Sequence, residues 1–421
     1  MTAGARRYAM VILTIVYMFN FIDRQILAIL LPAIQGEFGV SDTVLGLLAG
    51  TLFALFYVSL GIPIARIADR TNRRNLVALA VLVWSGMTAL SGFAQNVWQL
   101  ALARIGVGVG EAGCSPPAHS MIADYYPPEQ RSTAMGFYTL GISAGIMLAY
   151  LAGGWVAQNI GWREAFFIVG VPGIILAAVV RFTVVEPERG ASERRTDSGQ
   201  QPRMFEVLEF LLSRRSSVHM GIAAGLSSFV GYSVVNFMPS FLSRSFALGL
   251  ADIGFILGVV VGVFGGLGFF FGGFIADRIG RTGQRRAFRF LAVAMVLSAV
   301  LNAGVFLSTS VVWCIGLFLL PTIVSNFYLA PVLSQTQGLV SLRMRSVASA
   351  LVLLVINIIG LAMGPLVTGI VSDLFEPYAG AESMRYSLLL VSVVILPWSA
   401  WHYFCAGQTI EADLARATEN D

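Results

Sequence analysis

Four charged side chains stand deep inside apolar runs: Asp23 and Arg24 in one, Arg104 and Glu111 in another. A charge in hydrocarbon is costly, and residues that carry one there mark substrate paths, ion sites or proton relays. A carboxyl group in such a place can exchange a proton, because burial disfavours its charged form while a nearby arginine favours it. Arg104 and Glu111 are seven residues apart, and two helical turns bring them to one face. Asp23 and Arg24 point about 100° apart on a helix, so both can border one cavity. Counted inward at about 1.5 Å per residue, Asp23 and Glu111 each lie roughly 20 Å deep, near the midplane of a bilayer. The competing reading is a static ion-pair network that locks two helices together. A mere staple, however, could sit near the membrane surface at much lower cost.

The elements that must position these residues follow from composition. The chain has 421 residues, 57% hydrophobic and 12% charged, with a mean hydropathy of +0.77. That is an integral membrane protein and not a soluble domain. A crossing helix needs about 20 apolar residues. The runs divide into spans at 8–32, 43–67, 75–94, 98–122, 132–158, 163–183, 218–242, 253–276, 287–308, 311–333, 346–372 and 386–405. Tyr8 onward reads as a retained span and not a cleaved leader. The net charge of +4 comes from arginine alone, since the chain has no lysine. Schiff-base lysine chemistry is thereby excluded, and the arginines lie in short loops, a topology signal and not a nucleic-acid footprint. They crowd alternate loops: Arg6 and Arg7, then Arg66 to Arg74, then Arg278 to Arg289, then Arg343 and Arg345. Both termini are therefore expected on the cytoplasmic side, in a bacterial-type inner membrane.

The organisation expected is an N-terminal six-helix bundle over 1–183, a cytoplasmic linker over 184–217, a C-terminal six-helix bundle over 218–405 and a cytoplasmic tail over 406–421. Within the linker, Met204 to Leu212 reads as a short amphipathic helix on the membrane surface. Leu208, Leu211 and Leu212 would face lipid, and Glu206 and Glu209 water. Glycines at small-xxx-small spacing (Gly106/Gly110, Gly141/Gly145, Gly258/Gly262/Gly266 and Gly360/Gly364) allow close helix approach. Prolines within spans, Pro116, Pro117 and Pro321 among them, predict kinks.

Some patterns mislead. Gly108-Val-Gly110-Glu-Ala-Gly113 matches a dinucleotide fingerprint, and Gly141-Ile-Ser143-Ala-Gly145 a hydrolase elbow. Each needs a strand before it and a helix after it, and both lie in apolar helical runs. Cys114, Cys314 and Cys405 have no metal-ligand or disulfide spacing and read as packing residues. His119, His219 and His402 do not cluster in sequence. No cofactor, metal or credible nucleophile–base set is expected, so an enzyme is disfavoured.

Two stretches repeat about two hundred residues apart: Ala65-Arg-Ile-Ala-Asp69-Arg70-Thr-Asn72-Arg73-Arg74 and Gly273-Phe-Ile-Ala-Asp277-Arg278-Ile-Gly280-Arg281. Each closes an apolar run with an acid among arginines, as in a polytopic protein built from two like halves. The pair resembles the loop motif of the major facilitator superfamily, the second copy fully and the first with Ala65 and Asn72 in place of glycines. Asn20-Phe-Ile-Asp23-Arg24, Arg104-Ile-Gly-Val-Gly108-Val-Gly110-Glu111, Gly161-Trp162-Arg163 and Glu186-Pro187-Glu-Arg-Gly190 resemble its spinster-like branch, densely in the N-terminal half. That resemblance implies a twelve-helix all-α transporter of two pseudo-symmetric bundles, working by alternating access. It implies lysophospholipid or sphingoid-type substrates, with the acids of helices one and four as coupling residues.

The expectation is a proton-coupled exporter of an amphiphile, acting as a monomer among membrane lipids. Asp23 and Glu111 would carry the proton. Arg24 and Arg104 would hold a head group, with Tyr232, Asn236 and Phe237 contributing from the C-terminal wall beside Phe229, Phe241 and Phe264. Asn326 and Asn357 are further isolated polar groups there. Asp69, Arg70, Arg73 and Arg74, with Asp277, Arg278 and Arg281, would latch the cytoplasmic side. The alternative substrate class is small organic anions or drugs.

Overall fold

The computed structural model describes residues 3–68, 70–189, 204–281, 283–341 and 344–418. Among these, ten stretches are long and apolar enough to cross a membrane. The last of them holds two helices, and a span broken in its middle completes twelve. In chain order they are α1 (Ala3–Phe38), α2 (Asp42–Ala68), α3 (Arg73–Ser91), α4 (Val97–Glu111 and Ser115–Tyr125), α5 (Pro128–Asn159) and α6 (Trp162–Thr183). Then come α7 (Arg215–Phe246), α8 (Leu250–Gly280), α9 (Gln284–Leu307) and α10 (Val311–Val324 and Leu329–Gly338). The last two are α11 (Arg345–Ile356, continued through Met363–Ala379) and α12 (Ser383–Thr418). The helix α12 thus runs past residue 405, well into the stretch expected to be a tail.

The chain divides into two units, Met1–Asp197 with Ala247–Gly262, and Ser198–Phe246 with Val263–Asp421. In the first, α1 lies along α5 and α3 along α6; in the second, α9 and α7 both lie along α12. Glycine makes the close seams possible. A Cβ on Gly141 would come within 2.8 Å of the Thr14 carbonyl, and one on Gly145 would strike Met18. In the second unit, a Cβ on Gly364 would come within 2.6 Å of the Phe229 carbonyl, and one on Gly360 would strike Ser228. The segment Ala247–Gly262 clusters with the first unit, where the Ala251 N–H donates to the Gln158 amide oxygen (2.8 Å).

The kinks fall where proline removes a donor or a bulge shifts the ladder. The two pieces of α4 are separated at Ala112 to Cys114, just before Pro116 and Pro117, and α10 breaks after Pro321. Short π-helical turns interrupt α2 at Leu47–Thr51 and α8 at Gly258–Phe264.

The amphipathic segment is a helix over Met204–Ser213, but its faces differ from the expectation. Val207 and Leu211 are buried with Val340, Ala348 and Leu351, and Leu208 packs against that cluster. Leu212 and Phe205 are the exposed apolar side chains. The helix keeps its best apolar stripe for α11 of its own unit and leaves a narrower one outside. Most of the linker before it, residues 190–203, lies outside the described residues.

Candidate functional site

The charged centre of the first unit is built by a glycine-rich turn. A Cβ on Gly108 would come within 2.6 Å of the Phe53 carbonyl in α2, and one on Gly110 within 2.6 Å of the Trp84 backbone nitrogen in α3. Only hydrogen at these two positions lets α4 approach both neighbours. The apparent dinucleotide fingerprint is therefore a helix-packing device. Glu111 then stands at the end of the first piece of α4. A helix C-terminus carries partial negative charge and favours a cation beside it, and Arg24 supplies one.

Arg24 Nε lies 2.5 Å from Glu111 Oε2, with Glu111 fully buried. The Arg24 guanidinium also stacks over the rings of Tyr57 (4.6 Å), Phe53 (5.0 Å) and Phe21 (5.2 Å). Arg104 lies over the same Phe53 ring at 5.5 Å. Aromatic faces partly replace water around a cation, so one ring helps hold two guanidinium groups. Arg104 is buried and donates through Nη1 to the backbone carbonyl of Asp23 (3.2 Å). Spacing had placed Arg104 and Glu111 on one face, and both are buried, yet the close partner of Glu111 is Arg24 from the other helix.

Asp23 is handled differently. Its side chain is fully buried, and neither carboxyl oxygen closes a hydrogen bond of normal geometry. The Thr88 hydroxyl and the Trp84 indole of α3 lie against it, and their own polar atoms are likewise unpartnered. Asn20 of α1 faces Glu111. Sequence reading missed Trp84 and Thr88. Their signal was a polar-capable pair at i, i+4 in α3, easily lost because tryptophan counts as apolar.

The other expected site residues fall elsewhere. In the second unit Tyr232 is half-buried, and Asn236 donates to the Tyr232 carbonyl (2.8 Å) within its own helix. Asn326 likewise donates to the Thr322 carbonyl (2.9 Å). Phe237 and Phe241 are fully buried, Phe241 against Phe246 and Phe306, so these two are core and not a wall. His219 and His402, far apart in sequence, meet with their Nδ1 atoms 2.8 Å apart, beside Trp401. Antiparallel packing of α7 and α12 brings together two positions far apart in sequence. His119 packs edge-on to Tyr138.

Of the loop motifs, Asp69 and the side chain of Asp277 lie outside the described residues. Arg73 is 1% exposed and pairs with Asp124 (2.5 Å) and Glu186 (2.9 Å). It also donates to Ser120 and to the Pro187 carbonyl. The Arg74 N–H donates to Glu186 (2.7 Å). Arg70, Arg278 and Arg281 are exposed.

Two six-helix units and a charged centre inside the membrane define a polytopic carrier, and the comparisons specify which kind. The sequence profile of the Major Facilitator Superfamily matches residues 13–365. An "MFS-type efflux pump" of Mycolicibacterium smegmatis is 31% identical over 98% of this chain and 95% of its own length. "Protein spinster homolog 1" of Xenopus tropicalis is 28% identical over 91% of this chain and 77% of its own length. The crystal structure of a bacterial homolog of the human lysosomal transporter Spinster, inward-facing and unoccupied, matches with a TM-score of 0.90. It is 30% identical and covers 98% of this chain and 99% of its own. The chain belongs to the major facilitator superfamily, in its spinster-like branch. It is an integral membrane transporter and not an enzyme.

Proposed function

We propose that the chain couples the movement of protons to export of an amphiphilic lipid of the lysophospholipid or sphingoid class, by alternating access. The observation that carries the proposal is the unequal treatment of two buried carboxyls: that of Glu111 is ion-paired to Arg24, whereas that of Asp23 accepts no hydrogen bond from an arginine, Arg104 reaching only the Asp23 backbone carbonyl. A change that brings an arginine to one acid, or takes it from the other, alters how each holds a proton. The two acids then titrate as a coupled set, and neither need own the proton alone. Arg24 and Arg104 are the groups proposed for the head group, and an apolar chain adds about 0.8 kcal/mol per buried CH₂. Tyr232 and Phe264, both half-buried, are proposed for the chain. The carrier is proposed to act as a monomer in a bacterial-type inner membrane, with both termini cytoplasmic, on the strength of the arginine-rich alternate loops.

The test is transport in proteoliposomes under an imposed pH gradient, comparing lysophospholipids or sphingoid phosphates with sugar acids. The expected result is preference for the single-chain lipid, and loss of the pH-driven component to the level of empty vesicles in Glu111→Gln, with Asp23→Asn less severe. Wild-type pH dependence in Glu111→Gln would overturn the coupling. Preference for the sugar acids would favour the second reading, a carrier of small organic anions or drugs.

Asp69, Arg70, Arg73 and Arg74, with Asp277, Arg278 and Arg281, are proposed as cytoplasmic latches. Neutralising Asp277 should raise labelling of an engineered thiol at the cytoplasmic mouth. Unchanged labelling would leave the motif as a topology signal.

A further inference from the structure

The surroundings of Asp23 include two residues that play no part in the proposed coupling. Trp84 and Thr88 stand one turn apart on α3, 0% and 1% exposed. Both lie against the Asp23 carboxyl. The indole Nε1, the Thr88 Oγ1 and both carboxyl oxygens lack hydrogen-bond partners in normal geometry. Unpaired polar atoms at full burial are expensive, and several converging on one carboxyl form a functional arrangement more readily than a packing accident. Their placement is also mechanically fixed. The Trp84 backbone nitrogen meets Gly110 of α4, one residue before Glu111, and Ser85 meets Gly173 of α6. The stripe on α3 is therefore wedged between two helices and aimed at α1.

The chemistry of the two groups is directional. An indole N–H is a donor only, and a threonine hydroxyl can donate. A carboxylate accepts from both, whereas a protonated carboxyl offers less acceptor capacity and demands an acceptor of its own. The charged and titratable groups around Asp23 are Arg24 on its own helix and Arg104 and Glu111 on α4, with α3 contributing only these neutral donors.

We propose that Trp84 and Thr88 are positioning residues of the proton site: they close on Asp23 when it is ionised and set the pH at which it releases its proton. This rests on the reading of Asp23 as a proton carrier. Removing either donor removes support from the anion alone, so the proton is held to higher pH.

The test is infrared difference spectroscopy of the purified, reconstituted protein across a pH titration, following the C=O stretch of a protonated carboxyl. Asp23→Asn first identifies the component that belongs to Asp23. Trp84→Phe and Thr88→Val should each move the midpoint of that component alkaline by about one pH unit, a tenfold change in proton affinity. Thr88→Ser, which keeps the hydroxyl, should restore it, and Ser85→Ala should leave it in place. Thermal unfolding of each variant separates a packing defect from a change in titration. If Asp23→Asn removes no titrating component, the proton-carrier reading itself fails. If the component exists and neither Trp84→Phe nor Thr88→Val moves it, the positioning role is overturned while the carrier reading stands.

Discussion

Arg73 and Arg281 hold the same place in the two copies of the loop motif, four residues after Asp69 and Asp277, and the structure treats them oppositely. Arg73 is buried between Asp124 and Glu186, whereas Arg281 is exposed. The same division runs through both units. Each half of the sequence has a π-helical turn in its second helix, a break in its fourth, and a glycine seam between its first and fifth. Each also has an arginine opening its sixth helix. Arg163 pairs with Glu37 (2.6 Å), caps the Ala94 carbonyl and stacks on Trp162. Arg385 pairs with Glu382, caps the Phe306 and Ser308 carbonyls and lies by Phe241 and Phe246. Backbone devices are duplicated, but the cluster of two acids and two arginines is not. The first unit centres on Asp23, Arg24, Arg104 and Glu111. The second instead carries neutral hydroxyls between α7 and α12, such as Ser227 with Ser399 (2.8 Å) and Ser399 with the Ala223 carbonyl (2.9 Å). Hydroxyls paired in this way offer no carboxyl to take up a proton, and the titratable pair of the second unit, His219 with His402, is of a different kind, so the asymmetry lies in chemistry laid over a shared frame.

The sharpest way to break this comparison is at its twin arginines. Arg73→Ala strands two carboxylates that are themselves 12% and 22% exposed, and removing one partner of a buried pair costs about 3 kcal/mol. Arg281→Ala removes an exposed side chain and should stay within about 0.5 kcal/mol. Thermal or denaturant unfolding in detergent measures both. Equal losses would mean that the second motif is engaged in a way its exposure does not reveal.

The frame was legible from the chain because it rests on local signals. Apolar runs, alternating arginine loops, proline breaks and small-residue spacing each act over a few turns. The four charges of the centre were legible for the same reason: a charge in an apolar run stands out whatever surrounds it. What was hidden is pairing across helices. Spacing within α4 grouped Glu111 with Arg104, yet Arg24 reaches Glu111 from α1, a choice made by the approach of Gly108 and Gly110 to their neighbours. His219 and His402 are 183 positions apart, and no periodicity reports that α7 and α12 are adjacent. Trp84 and Thr88 were lost inside a run scored as apolar. Phe237 and Phe241 show the reverse failure, since aromatic type alone does not say whether a ring lines a surface or fills a core.

The smallest expected effect concerns another pair of twins, Leu211 and Leu212, adjacent on the surface helix and both expected to face lipid. Leu211 is 5% exposed and packs with Val340, Ala348 and Leu351, whereas Leu212 is 61% exposed. Leu211→Ser removes buried methyl groups and leaves a hydroxyl against an apolar cluster, a loss of about 2 kcal/mol. Leu212→Ser should change the unfolding free energy by less than about 0.5 kcal/mol, because no packed neighbour is lost. If the helix served only as a float on the lipid surface, the order would reverse: Leu212 would matter for its placement, and Leu211 no more than its neighbour. Unfolding of both variants in detergent, where no bilayer competes for the exposed face, isolates the contact with α11. A stability loss confined to Leu211→Ser would tie the end of the linker to the second unit as part of its core.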